Sequence, residues 1–409
     1  MQHPRPVDPR SGEAIATATD PGPSRSHRGD WIRPPLLCTA EERGHERHAT
    51  ALELFFDLVF VVALAQLSHE LVLDHGAGGF ARFAALFVPV YVAWQGFSIY
   101  ADRFDTDDVL FRLAMFAAML AIAAMAILIP DVSHGHRSAG FALSYVALRS
   151  IMLALYGRAY RAVPSARPLI RRYGIGYGIA VGFWVVSLAI PEPARYALWG
   201  IGLIVDLSLP PLSTRLHRAI PTSGHHVPER WGLFTLIALG ESVVAVALGS
   251  SEAEFDRASS VAAALGFLVV AALWWLYFDG FEGVTLQGGS PTPVIYSYAH
   301  LPLLIGLGSV SAGISLLIEQ SGDDHLDTGA AGALLGGAAL YVLALLVAHS
   351  LTLRAAWRAS VRYKGGAAVV LGAILLASRT LPPIASVAAL LAVLTVLGGI
   401  QGAYVRGRS

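Results

Sequence analysis

Twelve apolar stretches, each near the roughly 20 residues a helix needs to cross a bilayer, leave this chain few ways to fold. They run over 52–72, 80–100, 109–129, 139–158, 173–190, 195–211, 231–250, 260–280, 295–318, 329–350, 366–382 and 385–405. The fifth and sixth are parted only by Pro191, Glu192 and Pro193, and the last two only by Pro382 and Pro383, which sets the count to within two. Charged residues make up 14% of the chain, where soluble domains carry about 25%. The expected class is an all-α polytopic membrane protein of about twelve transmembrane helices.

The basic residues set an orientation. The tails and even-numbered connections hold Arg158, Arg161, Arg167, Arg171, Arg172, Arg215, Arg218, Arg230, Arg354, Arg358, Arg362 and Lys364, against Arg82, Arg137, Arg195, Arg257 and Arg379 on the other side. Cytoplasmic loops carry the excess of Lys and Arg, so both termini are expected in the cytoplasm. Residues 1–46 are rich in Pro, Arg, Ser and Gly without a long apolar run and read as a disordered cytoplasmic tail.

Several functions are excluded at this stage. The balance of 29 basic and 29 acidic residues offers no basic stripe for nucleic acid. Lys364 is followed by Gly365 and Gly366, so a Walker-type phosphate loop, which needs Gly-Lys-Ser/Thr, is absent. Cys38 stands alone, which removes disulfides and thiolate metal clusters. No cofactor is expected.

The chain also looks doubled. "DLVFVVAL" at 57–64 aligns with "ESVVAVAL" at 241–248, "YADRF" at 100–104 with "YFDGF" at 277–281, and "SYVALRSIMLALYGRAYRA" at 144–162 with "LYVLALLVAHSLTLRAAWRA" at 340–359. Three matches in one order suggest two six-helix halves, 47–222 and 223–409, of the same orientation.

Ionisable residues inside spans are expensive in lipid and usually face a bundle interior or a water-filled cavity. Glu53 and Asp57 lie on one helical face, to which Ser68 returns. At about 1.5 Å per residue, Asp57 is about 9 Å and Glu241 about 15 Å into its span. Both acids either pair with arginines or line an ion or substrate path. Arg149 falls mid-span and needs a partner, for which Asp206, Asp57 and Glu241 are candidates. His300 and His349 are intramembrane histidines, each either a titrating group or the maker of one structural hydrogen bond.

"YADRFDTDD" brings Asp102, Arg103, Asp105, Asp107 and Asp108 to the cytoplasmic side, with Asp279 matching Asp102 in the second half. The aspartates could collect a hard cation. Alternatively Asp107 or Asp108 caps the third helix and Arg103 pairs with a neighbouring acid. His69, Asp74, His75, His134 and His136 share the outer face as a weak zinc-type candidate; the metal content is left unknown. Gly174, Gly178 and Gly182, four apart, allow close helix packing, expected to be internal, with a homo-oligomer left open.

On "ELFFDLVFVVALAQL", "YADRFDTDD", "ALGESVVAVA" and "WWLYFD" the chain resembles the bacterial low temperature requirement A proteins from about residue 45 onward. The resemblance implies a polytopic inner-membrane protein and marks Glu53, Phe56, Asp57, Arg103, Phe104, Asp105, Gly240 and Glu241 as motif positions. It names no substrate. "RHATALELFFDLVF" is also similar to the opening of a potassium-channel repeat, but Phe56 stands where that family has Ser.

Two functions follow as expectations. One is a secondary transporter or channel for a small solute or ion, with Asp57 and Glu241 on the path and Arg149 with Asp206 as a charge relay. The other is an intramembrane enzyme acting on lipids or lipid-linked groups through the Asp102–Asp108 stretch. The expected partners are the lipid bilayer and an unidentified small solute or ion.

Overall fold

The computed structural model describes residues 31–37, 49–105, 107–252, 256–281, 286, 292–352 and 357–406. Nearly all of it is helix. In chain order the long helices are α1 (Ala51–Leu73), α2 (Ala77–Arg103), α3 (Val109–Ile127), α4 (Ser138–Ala162), α5 (Arg167–Ser187), α6 (Ala194–Leu212), α7 (His226–Glu252), α8 (Arg257–Phe281) and α9 (Thr292–Glu319). Next is α10, which passes from Thr328–Ala331 through a π turn at Gly332–Gly336 into Gly337–Thr352, and then α11 (Trp357–Ala377) and α12 (Pro383–Arg406).

Among the described residues ten helices are long and apolar enough to span a membrane. Helices α5 and α6, expected as the fifth and sixth spans, form but fall outside that set. Arg171, Arg172 and four glycines dilute α5, and Arg195, Asp206, Pro210 and Pro211 dilute α6. The large apolar side chains left exposed, such as Leu120 and Ile127 on α3 and Val369 and Leu376 on α11, are what a lipid-facing surface requires.

Two helices form the centre. The apolar window of α2 is 78% buried and that of α9 83%, against 17% for α11. Close packing of α9 on α10 depends on glycine: a Cβ on Gly306 would lie 2.7 Å from the Gly337 carbonyl oxygen, and one on Gly313 2.5 Å from the Leu334 nitrogen. Elsewhere the glycine reading fails. Gly174, Gly178 and Gly182 meet nothing within 4 Å, so this row faces outward instead of packing within the chain.

Part of the stretch expected to be a disordered tail is seated. Leu36–Leu37 pairs antiparallel with Phe104–Asp105, Leu36 opposite Asp105. The Arg33 backbone N–H donates to Asp108 Oδ2 at 3.1 Å, and Val109 N–H to the Trp31 carbonyl at 3.1 Å. The rest of that tail, 1–30 and 38–46, lies outside the described residues.

Candidate functional site

Helix α1 starts where its sequence says it should. Thr50 accepts from the Glu53 N–H at 3.3 Å while Glu53 Oε2 accepts from the Thr50 N–H at 2.8 Å, a reciprocal capping box. This fixes Glu53 and Asp57, the third and seventh residues of α1, toward the interior, where they are 2% and 0% exposed. Opposite them lies α7, whose first and fifth residues, His226 and Arg230, repeat the same spacing of four. Two acids and two bases one helical turn apart thus face each other.

The contacts are short. Arg230 Nη1 lies 2.9 Å from Glu53 Oε1, and its Nη2 2.7 Å from Asp57 Oδ1. His226 Nδ1 is 3.1 Å from Asp102 Oδ1 on α2, and its Nε2 3.7 Å from Glu53 Oε1. The Trp94 indole donates to Asp57 Oδ1 at 2.7 Å, Arg230 reaches Ser98 Oγ at 3.3 Å, and the Ser223 N–H donates to Asp102 Oδ2 at 3.0 Å. Three carboxylates face one guanidinium and one imidazole. With His226 protonated the sum is −3 + 2 = −1, so this centre is acid-rich.

A second buried centre is base-rich. Arg149 Nη2 lies 2.9 Å and its Nε 3.1 Å from Asp206 Oδ2, to which the Tyr145 hydroxyl donates at 2.5 Å. Of the three partners the sequence offered Arg149, Asp206 is the one found. The guanidinium also stacks 4.9 Å from the Tyr177 ring centroid. Arg103 was expected to pair with an acid. Instead it is buried with the hydroxyls of Tyr156 and Tyr173, and no described carboxylate pairs with it. His217 accompanies it, its Nε2 3.1 Å from the Tyr173 hydroxyl. Burial first, and then the charge of Arg103, push this imidazole down to about 3, so His217 is neutral.

The two centres occupy different faces of α2. Trp94 and Ser98 address Asp57 and Arg230, whereas Gly96 and Arg103 border the Arg149 centre. Residues 94 and 96 are about 200° apart on a helix, so α2 separates the two sites.

The other expected site residues are dispersed. Asp102, expected on a cytoplasmic loop, is inside the core against His226. Asp108 caps α3 through the Phe111 N–H at 3.0 Å and accepts from Arg158 at 2.9 and 2.5 Å. Asp107 pairs with Arg112 on the surface at 2.8 and 2.9 Å. Asp105 enters the ladder through its backbone. Asp102, Asp107 and Asp108 therefore do not converge, and among the described residues no group of three or more His, Cys, Asp or Glu is placed to hold a metal. In the outer loops, His75 goes to Asp327 at 3.1 Å and His134 to Glu70 at 3.8 Å.

Glu241 is half-buried and borders a cavity of about 670 Å³ with Ser68, His69, Ser311 and Glu319. His300 is fully buried, its Nε2 2.9 Å from the Tyr277 hydroxyl and its Nδ1 2.8 Å from the Tyr296 carbonyl, and so stands apart from both carboxylate groups. His349 contacts Lys364. Asp279 has a buried Oδ2 without a hydrogen bond among the described residues. Arg230, His226 and Trp94 are the site residues that the sequence reading missed. The spacing of His226 and Arg230, matched to that of Glu53 and Asp57, was the signal that could have found them.

An uncharacterized protein of Rhizobium meliloti (strain 1021) is 27% identical over 300 residues, covering 69% of this chain and 71% of that protein. No solved structure matches. The family model for the bacterial low temperature requirement A protein matches residues 48–398, a span that contains both buried centres, and the chain belongs to that family.

Proposed function

We propose that this multi-pass membrane protein is a secondary transporter or channel that carries a small cation or proton along the inner face of α1, with Asp57 as the group it must pass. The observation that carries the reading is the acid-rich centre. Asp57, Glu53 and Asp102 outnumber Arg230 and His226 in a buried interior, and an unbalanced buried carboxylate is what a proton or cation neutralises.

The same face of α1 leads onward. Phe60 and Leu64, both buried, fill the two turns beyond Asp57, and Ser68 then opens on the cavity of about 670 Å³ bordered by Glu241. An apolar constriction between a charged site and a polar-lined cavity is the arrangement of a closed gate. The aligned segments that begin at Asp57 and Glu241 lie on α1 and α7, which pack together, as two related halves meeting at a path would place them. The arginine excess supports a cytoplasmic position for the Asp102–Asp108 end and for both termini. The lipid-acting alternative draws no support from aspartates divided among separate partners.

Flux measured in proteoliposomes with proton- and potassium-sensitive dyes tests the proposal. The expected result is a gradient-driven signal that disappears in Asp57→Asn. Unchanged flux in a folded Asp57→Asn, or no wild-type flux under either gradient, overturns it.

A further inference from the structure

The base-rich centre surrounds a small cavity that the proposed cation path does not use. Arg103, Arg149, Tyr173, Tyr177, Asp206 and His217 border about 50 Å³ of space open to water-sized groups. Both guanidiniums are buried, at 3% and 1% exposure. Among the described residues, Nε and Nη1 of Arg103 and Nη1 of Arg149 have no hydrogen-bond partner. Arg149 is at least balanced by Asp206 at 2.9 Å. Arg103 is not: its neighbours are tyrosine hydroxyls and the neutral His217. The formal sum is +2 − 1 = +1, in a place where an unpaired charge is costly.

From this we infer that the cavity is a binding site for a small oxyanion of the carboxylate or inorganic phosphate type, held between Arg103 and Arg149. Arginine presents a planar fork of N–H donors that suits such anions, and two arginines with unpartnered donors border the one space. The size fixes the class. A water-sized group needs at least about 10–15 Å³, so the cavity takes roughly three to five non-hydrogen atoms, the size of acetate, bicarbonate or phosphate. A nucleotide or a whole lipid headgroup does not fit. Asp206, which also borders the cavity and whose Oδ1 has no partner among the described residues, offers an acceptor for a protonated oxygen of the ligand, which favours a species such as bicarbonate or dihydrogen phosphate over a fully ionised one. This site is separate from the acid-rich centre and stands whether or not the cation path is correct.

Calorimetric titration of the purified full-length protein in detergent with sodium phosphate, bicarbonate and acetate, each against sodium chloride at equal ionic strength, decides the matter. Saturable binding of one oxyanion per chain is expected, with chloride failing to compete. Arg103→Gln should weaken it about tenfold or more, the loss for one charged hydrogen-bonding group, and Arg103→Lys should weaken it less. Should the glutamine variant fail to fold, the lysine variant gives the comparison. Absence of saturable binding by wild type with all three anions overturns the inference, as does affinity unchanged in whichever Arg103 variant folds.

Discussion

Replacing Arg230 by Met removes the guanidinium that, among the described residues, contacts both Glu53 and Asp57, at 2.9 and 2.7 Å, and leaves two buried carboxylates facing an apolar side chain. Breaking a buried ion pair from one side costs about 3–5 kcal/mol. Unfolding entropy of roughly 2.1 cal/mol/K per residue over 409 residues gives about 0.9 kcal/mol/K, so the expected fall in melting temperature is roughly 4–6 °C. The argument makes a stricter demand as well. If the loss comes from uncompensated charge and not from lost packing, then Glu53→Gln and Asp57→Asn added to Arg230→Met should return most of it, because a buried ion network replaced in full by neutral groups is often close to neutral in stability. Thermal unfolding of the purified protein in detergent, followed by calorimetry, separates the cases. A single variant melting within about 1 °C of wild type, or a triple variant melting below the single one, would refute the reasoning.

Asp108 gives a prediction in pH. Its burial favours the neutral acid, but hydrogen bonds from Arg158 and from the Phe111 and Arg33 N–H groups outweigh this and hold the carboxyl below its ordinary value. A depressed folded value means a contribution complete above the unfolded value of about 3.9 and lost as pH falls through the folded one, so hydrogen-exchange protection over 31–37, relative to the intrinsic rate at each pH, should fall below about pH 4 and should already be low in Asp108→Ala at neutral pH; equal protection in wild type and variant at neutral pH would refute this. Gly306→Ala forces a methyl to within 2.7 Å of the Gly337 carbonyl oxygen and should lower the melting temperature by several degrees, whereas Gly372→Ala, with open space around it, should leave stability unchanged or raise it by about 0.5–1 kcal/mol. Reversed signs at these two positions would show that α9 and α10 do not pack as described.

How much of this was legible depended on whether the cause was local. Helix positions follow from apolar runs and caps that lie within a few residues, and Thr50 with Glu53 is a signature readable in place. The inward turn of Glu53 and Asp57, and the need of Arg149 for a partner such as Asp206, follow from the cost of charge in lipid. Arg230 was not singled out because an arginine in the first turns of a span looks like one at the membrane surface, and only the fold brings it across 173 positions to Asp57. Asp102 and Arg103 are adjacent in sequence yet serve opposite centres, because neighbouring side chains on a helix diverge by about 100°; reading "YADRFDTDD" as one cluster missed this. Glu241 was judged by depth alone, and depth does not distinguish a sealed interior from the wall of a cavity.

The pairing of α1 with α7 also bears on how the chain is made. Synthesis at about 5–20 residues per second separates Asp57 from Arg230, 173 positions later, by roughly 9–35 s. Throughout that interval the first helix carries two acids whose counter-charge does not yet exist. It must wait at the bilayer surface, with its carboxyls protonated, or in the shelter of the insertion machinery, and it can settle only when α7 arrives. The first six helices are therefore not a unit that can finish assembling alone, and expressing residues 1–222 alone should yield a fragment that the cell degrades.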